Sequence, residues 1–404
     1  MNPSTATPPQ TVSRQAQSTI TLFAIALALF QTGFGIGMPV FAKQMDQLGA
    51  GVAGLGYLTT AFAAGQLIFA PIMGSLADRF GRRPFALLAM LAMLLANLIY
   101  PYIENVNLMV AVRFLQGALG AGLMPAAMGA VGDLIPEKER ARWAGIVMGG
   151  FAFGFIFGPT LGGVLYDRFG LFAPFFVSAG LAALTLVLAL FRLPETHRKA
   201  TTSAQKAAAA QPVRFTPFLL LLLTLDFFNT FVFSFVEPQM ILHFYNDLGW
   251  SATVFGIIVG VYGIVTAAGQ AFLGQLSDRF GRMPIIVLGF VLSIPLYLML
   301  LLSSSIPMMI LAAIFAGLGA ALIAPALSAA YLDLTSDHDR ARVMGYKQSA
   351  SAIGMVAGPL LVAVLSEPLQ GSGVFLVGTI LSGIAALLAL MNTLRRKPAL
   401  AIGD

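Results

Sequence analysis

Cysteine is absent from the 404-residue chain, which excludes disulfides, thiolate metal sites and thiol catalysis. The three histidines, His197, His243 and His338, lie far apart. They offer no metal-ligand spacing and read as loop or helix-end residues. Charge is also scarce. Asp, Glu, Lys and Arg make up 10% of residues, where soluble domains carry about 25%. No GxxxxGK[ST] phosphate loop occurs, which argues against an ATP-driven pump. What fills the chain is apolar: 58% of residues, with a mean hydropathy of +0.86. A soluble fold of this size could not bury so much apolar surface. The composition therefore implies a polytopic all-α membrane protein. The net charge of +6 would suggest nucleic acid in a soluble protein. Here the basic residues sit in short loops between apolar runs, so no nucleic-acid partner is expected. Those loops leave no room for a catalytic domain, so neither enzymatic activity nor a cofactor is expected.

Apolar runs long enough to cross a hydrocarbon core of about 30 Å fall near 19–41, 54–76, 84–104, 107–131, 142–165 and 171–191. A second set falls near 217–241, 252–276, 284–303, 307–330, 342–365 and 373–394. These twelve spans organise the chain as a tail (1–18), a six-span bundle (19–191), a polar linker (192–216), a second bundle (217–394) and a closing tail (395–404). The N-terminal segment has no short apolar core with a small-residue cleavage site and reads as a tail, not a signal peptide. Of the 23 Lys and Arg, nineteen lie in the tails and on one side of the loops, and only Lys43 and Arg168 on the other. That asymmetry places both termini in the cytoplasm.

Shifted by 200 residues, the chain overlays itself. Gly74 to Pro84 (GSLADRFGRRP) meets Gly274 to Pro284 (GQLSDRFGRMP), and Asp133 to Gly145 meets Asp333 to Gly345. Pro125 falls on Pro325, and Gly158–Pro159 falls on Gly358–Pro359. The two halves are repeats. Repeated halves in parallel orientation place a pathway at their interface, with rocking of one half against the other.

On these motifs the chain resembles the major facilitator superfamily, and within it the twelve-span drug:proton antiporters. Gly74, Leu76, Asp78, Arg79, Gly81, Arg82 and Arg83 match the superfamily pattern G-x-L-a-D-R-x-G-R-[RK]. RFLQG, from Arg113 to Gly117, matches a second pattern. GFIFGPTLGG, from Gly154 to Gly163, matches the antiporter pattern G-x-x-x-G-P-x-x-G-G. The resemblance implies two pseudo-symmetric six-helix bundles, a monomer in the cytoplasmic membrane, and export of drugs or small amphipathic molecules against protons. Membrane lipids are the remaining partners. A proton-coupled permease for a sugar, organic acid or other metabolite, or a lipid-moving protein, would use the same fold. The few buried polar groups fit those readings less well.

The resemblance also implies that a charged cluster locks the cytoplasmic side in the outward-facing state. It comprises Asp78, Arg79, Arg82 and Arg83, with Asp278 and Arg282 in the repeat. The expected cross-half contacts run from Asp78 to Arg340 and Arg342, and from Asp278 to Arg140 and Arg142. A carboxylate there also favours the positive end of a neighbouring helix. The simpler alternative is that these basic residues only set topology. Gly154, Gly158 and Gly162 recur every four residues and, with Pro159 and Gly163, form a small-residue face for close helix contact. That face is expected to meet the other half, with Gly256, Gly260 and Gly263 opposite.

Four charges fall inside spans: Arg113, Asp226, Glu237 and Lys347. Such charges are costly and mark function by default. A carboxyl among apolar groups can take up and release a proton near neutral pH, so Asp226 and Glu237 in span 7 are both candidate proton carriers. Eleven residues apart, they share a helical face, with Asp226 nearer the middle. The resemblance assigns Arg113 to proton coupling. Lys347 reads as snorkelling to the surface. Aromatic walls with a few polar groups suit lipophilic or cationic substrates. Candidate wall residues are Phe153, Phe157, Phe228 and Phe231, with Gln31, Asn229, Tyr262 and Gln270 as polar or amphipathic contacts; the alternative for each Phe is lipid-facing bulk.

Overall fold

The computed structural model describes residues 12–195, 215–335, 339–369 and 371–396. His197, His338 and most of the polar linker lie outside the described residues, as do the first eleven and last eight positions. Twelve helices are long and apolar enough to cross a membrane. The first six are α1 (Arg14–Gln47), α2 (Gly51–Phe80), α3 (Arg82–Tyr102), α4 (Val106–Leu134), α5 (Glu137–Phe169) and α6 (Phe172–Arg192). The second six are α7 (Pro217–Asp247), α8 (Ala252–Leu273), α9 (Arg282–Leu302), α10 (Ile306–Leu334), α11 (Arg342–Leu365) and α12 (Ser372–Leu394).

Side-chain caps start several of these helices by satisfying free N–H groups. Ser13 accepts from Ala16 N–H, Asn105 from Leu108, Thr216 from Leu219 and Ser251 from Val254. Between α2 and α3, and again before α9, the chain turns at Gly81 (φ +106°) and Gly281 (φ +89°). Only glycine adopts that backbone without strain, so the repeated motif keeps it in both halves. Several helices outrun the apolar runs, because polar end turns extend a helix beyond its hydrophobic window. The extension matters most for α7, which continues to Asp247. Asp226 is therefore no nearer the middle than Glu237: the two lie at comparable depths from opposite ends.

The repeat is visible in the packing. α5 lies along α1, and α11 lies along α7. Across the halves, α8 packs on α5 and α2 on α11. A Cβ built on Gly256 would stand 2.5 Å from Pro159 O, and one on Gly56 2.6 Å from Pro359 O. These are the same contact 200 residues apart. Likewise Arg82 pairs with Asp133 at 2.7 Å and Arg282 with Asp333 at 2.9 Å.

This packing corrects the expected role of the antiporter glycines. Gly154, Gly158 and Gly162 do not face the other half. They meet α1 within their own half, at Ala28 and Thr32, at Gly35, and at Ile36. The interface with α8 is made by another edge of α5, at Ile156, Pro159, Thr160 and Gly163, against Ala252, Gly256, Gly260 and Gly263. Thr160 Oγ1 donates to Gly256 O across it at 2.8 Å. One helix presents two small-residue edges, and the four-residue glycine period traces only one of them.

The hydrophobic cores show which end is closed. One core crosses both halves, joining Val40, Phe41 and Leu58 to Phe235, Phe255 and Val362. Polar ties reinforce it at the end opposite the basic loops. Asp167 accepts from the backbone N–H of Ala252 (3.2 Å) and Thr253 (2.7 Å), and Asn246 donates to Asp46 at 2.8 Å. Tyr245 O–H donates to Pro39 O, and the Lys43 ammonium sits 4.0 Å from the Tyr245 ring centroid. Toward the basic loops there are two separate cores, one per half. A Cβ on Gly145, Gly149 or Gly345 would meet nothing within 4 Å. The molecule is closed at one end and open at the end that carries Asp78 and Asp278.

Candidate functional site: a cavity between the halves

A cavity of about 390 Å³ lies where the halves meet. Spans of both halves line it. Among the described residues, Glu237 is its only acid and Arg113 its only base. They come from opposite halves, and no ion pair within 4.0 Å joins them among the described residues. Asn229, Tyr262 and Gln270 also line the wall. Phe233 stacks on Tyr262 at 5.7 Å, with planes 15° apart.

Other expected wall residues are elsewhere. Gln31 is buried where the α1 backbone meets Gly154. Phe153 and Phe157 are 53% and 47% exposed on the outer surface, paired with each other at 4.6 Å; the two packed edges of α5 leave them there. Phe231 is buried in a stack with Phe227 and Phe235. These positions recur every four residues, so they form an edge of α7, beside the α11 glycines Gly354 and Gly358. Phe228 packs into the cores without reaching the cavity.

Arg113 is 6% exposed. Its Nη1 donates to Gln116 Oε1 at 2.8 Å, and that oxygen also accepts from Tyr100 O–H at 2.9 Å. Its Nε has no hydrogen-bond partner among the described residues. The guanidinium carbon lies 5.0, 4.5 and 4.6 Å from the ring centroids of Phe34, Phe41 and Phe62.

Asp226 does not reach the cavity. It shares the Glu237 face of α7 but sits about 16 Å away along the axis, at 1.5 Å per residue. There it is covered and pairs with Lys347 at 3.8 Å. Lys347 therefore turns inward onto an acid and does not snorkel. The pair has a stability signature. Removing one partner of a buried ion pair costs about 3–5 kcal/mol, while removing both is often neutral. Asp226→Asn and Lys347→Met are each expected to lower the thermal unfolding temperature in detergent, and the double variant to recover most of the loss. Additive destabilisation would show that the charges do not compensate one another.

At the open end, Asp78 pairs with Arg82 at 3.2 Å, and Asp278 with Arg282. Arg83 donates to Leu190 O, Arg140 to Ile135 O, and Arg79 lies over the Phe80 ring. Arg342 pairs with Asp339 at 3.9 Å, and Arg340 begins the helix that becomes α11. The Asp78–Arg82 and Asp278–Arg282 pairs each lie within one half, as an open end requires. Asp78 is 67% exposed, so its pair contributes little to folding. Asp78→Asn is accordingly expected to leave membrane abundance unchanged yet abolish transport, if the carboxylate works in the alternative, closed state. Quantitative immunoblotting beside a flux assay reads both, and normal flux would remove Asp78 from the gate.

The residues missing from the sequence reading are Phe34, Met38, Phe41 and Phe62. The 200-residue repeat carries the signal for them. Phe34 and Ser234, Met38 and Pro238, Phe41 and Ile241, and Phe62 and Tyr262 all line the cavity. A shift back from the neighbourhood of Glu237 lands on the α1 wall.

Comparison with known proteins agrees with this architecture. A model of the Major Facilitator Superfamily matches residues 23–244 and 219–402. Multidrug resistance protein 2 of Bacillus subtilis (strain 168) is 30% identical over 366 residues, covering 86% of this chain and 89% of that protein. Tetracycline resistance protein, class C, of Escherichia coli is 29% identical over 362 residues, covering 86% and 87%. Among solved structures, a bacterial homolog of the human lysosomal transporter Spinster, inward-facing and unoccupied, superposes with a TM-score of 0.79 at 16% identity, covering 94% and 97% of the two chains.

Proposed function

The chain belongs to the Major Facilitator Superfamily, a family of membrane transporters and not of enzymes, and from that premise we propose that it exports drugs or small amphipathic molecules in exchange for protons. The observation that carries the reading is the cavity, which is largely apolar and sits between the halves with one acid from one half and one base from the other. With both termini in the cytoplasm of a cell whose inner membrane the chain spans, the open end faces inward. The two bundles then work as rocking bodies around the cavity, as a monomer among lipids. A substrate enters from the cytoplasm while Glu237 is ionised. Closure at the basic loops and opening at the far end release it outside, where Glu237 takes up a proton. Return to the present state delivers that proton to the cytoplasm. Arg113 acts on the coupling through its charge at the facing wall. Asp78, Arg82 and their repeat partners hold the cytoplasmic end shut in the outward-facing state. The multidrug and tetracycline resistance relatives support the substrate class.

The test is transport of a panel of cationic dyes and tetracyclines into inverted vesicles, with the proton gradient present and after an uncoupler. Uptake that requires the gradient is expected. Uptake indifferent to the uncoupler would refute proton coupling.

A further inference from the structure

At the closed outer end, the two repeat-related seams between the halves are held differently. Along α5 and α8, Asp167 reaches from the last turn of α5 to the first turn of α8. Its carboxylate accepts from the backbone N–H of Ala252 (3.2 Å) and Thr253 (2.7 Å) and from the Thr253 hydroxyl (2.5 Å). Two turns deeper, Thr160 Oγ1 donates to Gly256 O. The first N–H groups of a helix have no partner within it, and a negative charge is favoured at that end. So α8 has a cap of its own in Ser251 and a second one supplied by the other half.

A shift of 200 residues leads to the seam between α11 and α2, and there the bonds are missing. Thr160 becomes Leu360, which has nothing to donate, and Asp167 becomes Glu367. Arg168 becomes Pro368, and a proline disfavours helix at the residue before it. Accordingly α11 stops at Leu365 while α5 continues to Phe169. Glu367 lies exposed in the turn beyond α11. Among the described residues its carboxylate engages no hydrogen bond or ion pair, and the first turn of α2 has no side-chain cap. What joins this seam is apolar packing and the close contact of Gly56 with Pro359.

The Asp167 bonds run only between halves. They are made when the outer end is closed and exchanged for water when it opens, so they weigh on the balance of the two states and not on the folding of either bundle. Resting on the rocking reading above, we propose that Asp167 is the latch of the outer gate: a positioning residue that holds the inward-open state by capping α8 across the halves, while its repeat counterpart Glu367 holds nothing, so that the outer end is fastened along one seam and only packed along the other.

The test uses the absence of cysteine. Met38→Cys places a single thiol in the cavity wall, and an impermeant thiol reagent added outside right-side-out vesicles reads how often the outer end opens. Adding Asp167→Ala is expected to raise the labelling rate about fivefold, which is what loss of one helix cap is worth. Asp167→Asn, which keeps one acceptor oxygen without the charge, is expected to fall between the wild type and Asp167→Ala. Glu367→Ala is expected to label at the wild-type rate. Unchanged labelling in Asp167→Ala would overturn the latch, and so would an equal rise in Glu367→Ala. A general loosening of the fold is read separately with Gly345→Cys, at the open cytoplasmic end, which is expected to stay unlabelled from outside in the Asp167→Ala background. If it is labelled there, the milder Asp167→Asn decides by the same criterion. Labelling is measured without substrate or gradient. A latch that behaves as expected in a protein that moves none of the dyes or tetracyclines would therefore sink the exporter reading and leave the latch standing.

Discussion

Glu237→Gln is expected to collapse gradient-driven accumulation of substrate to the level of passive equilibration. For a neutral substrate exchanged one for one, a proton moving through about 100 mV supplies roughly 2.3 kcal/mol, enough at about 1.4 kcal/mol per tenfold to hold a gradient of about 50-fold. A glutamine keeps the size of the side chain and cannot carry a proton, so the whole of that gradient should vanish. Exchange of labelled for unlabelled substrate across the membrane should persist, since the amide resembles the protonated acid and the helices can still rock. The combination separates loss of coupling from loss of fold. The acid chosen follows from position. Glu237 lines the cavity opposite Arg113, whereas Asp226 is covered and paired with Lys347. Accumulation that survives in Glu237→Gln and disappears in Asp226→Asn would move the coupling site to the covered pair.

Gly256→Val is expected to arrest the transporter open to the outside. A Cβ at this position would lie 2.5 Å from both Pro159 O and Thr160 Cα. Both are backbone atoms of the opposing half, so no side chain can turn away to make room. On the rocking mechanism proposed above, the overlap exists only while the outer end is closed. Overpacking costs about 1–3 kcal/mol, and a penalty borne by one of two states shifts their ratio by about 5- to 150-fold. Because the chain contains no cysteine, a single Met38→Cys substitution in the cavity wall reports the state directly. Its labelling by an impermeant thiol reagent from the outer face should rise by that factor when Gly256→Val is added, and transport should stop. Gly180→Val is the control, since a Cβ there meets nothing within 4 Å. Gly56→Val, on Pro359 in the repeat-related contact, should behave as Gly256→Val does. Unchanged labelling in both would show that the contact is not part of the closure.

Several features were legible without coordinates. Apolar runs of about 20 residues determine that the chain crosses a membrane, because any span must match the hydrocarbon thickness and satisfy its own backbone. The 200-residue shift determines that there are two like halves, and it reappears as paired contacts at Gly56 and Gly256 and at Arg82 and Arg282. The helical period also puts Asp226 and Glu237 on one face. It does not say where along that face the cavity ends or which neighbours cover the rest. Those depend on how far α7 continues, on the inward turn of Lys347, and on which edge of α5 meets α1 and which meets α8. The Arg113 cage likewise draws on α1, α2 and α4, whose rotations about their own axes are set by packing between residues distant in sequence. Local chemistry determined which residues are costly to bury, and only the tertiary arrangement decided which of them a substrate can touch, because burial and access are properties of helices packed together and not of any one helix.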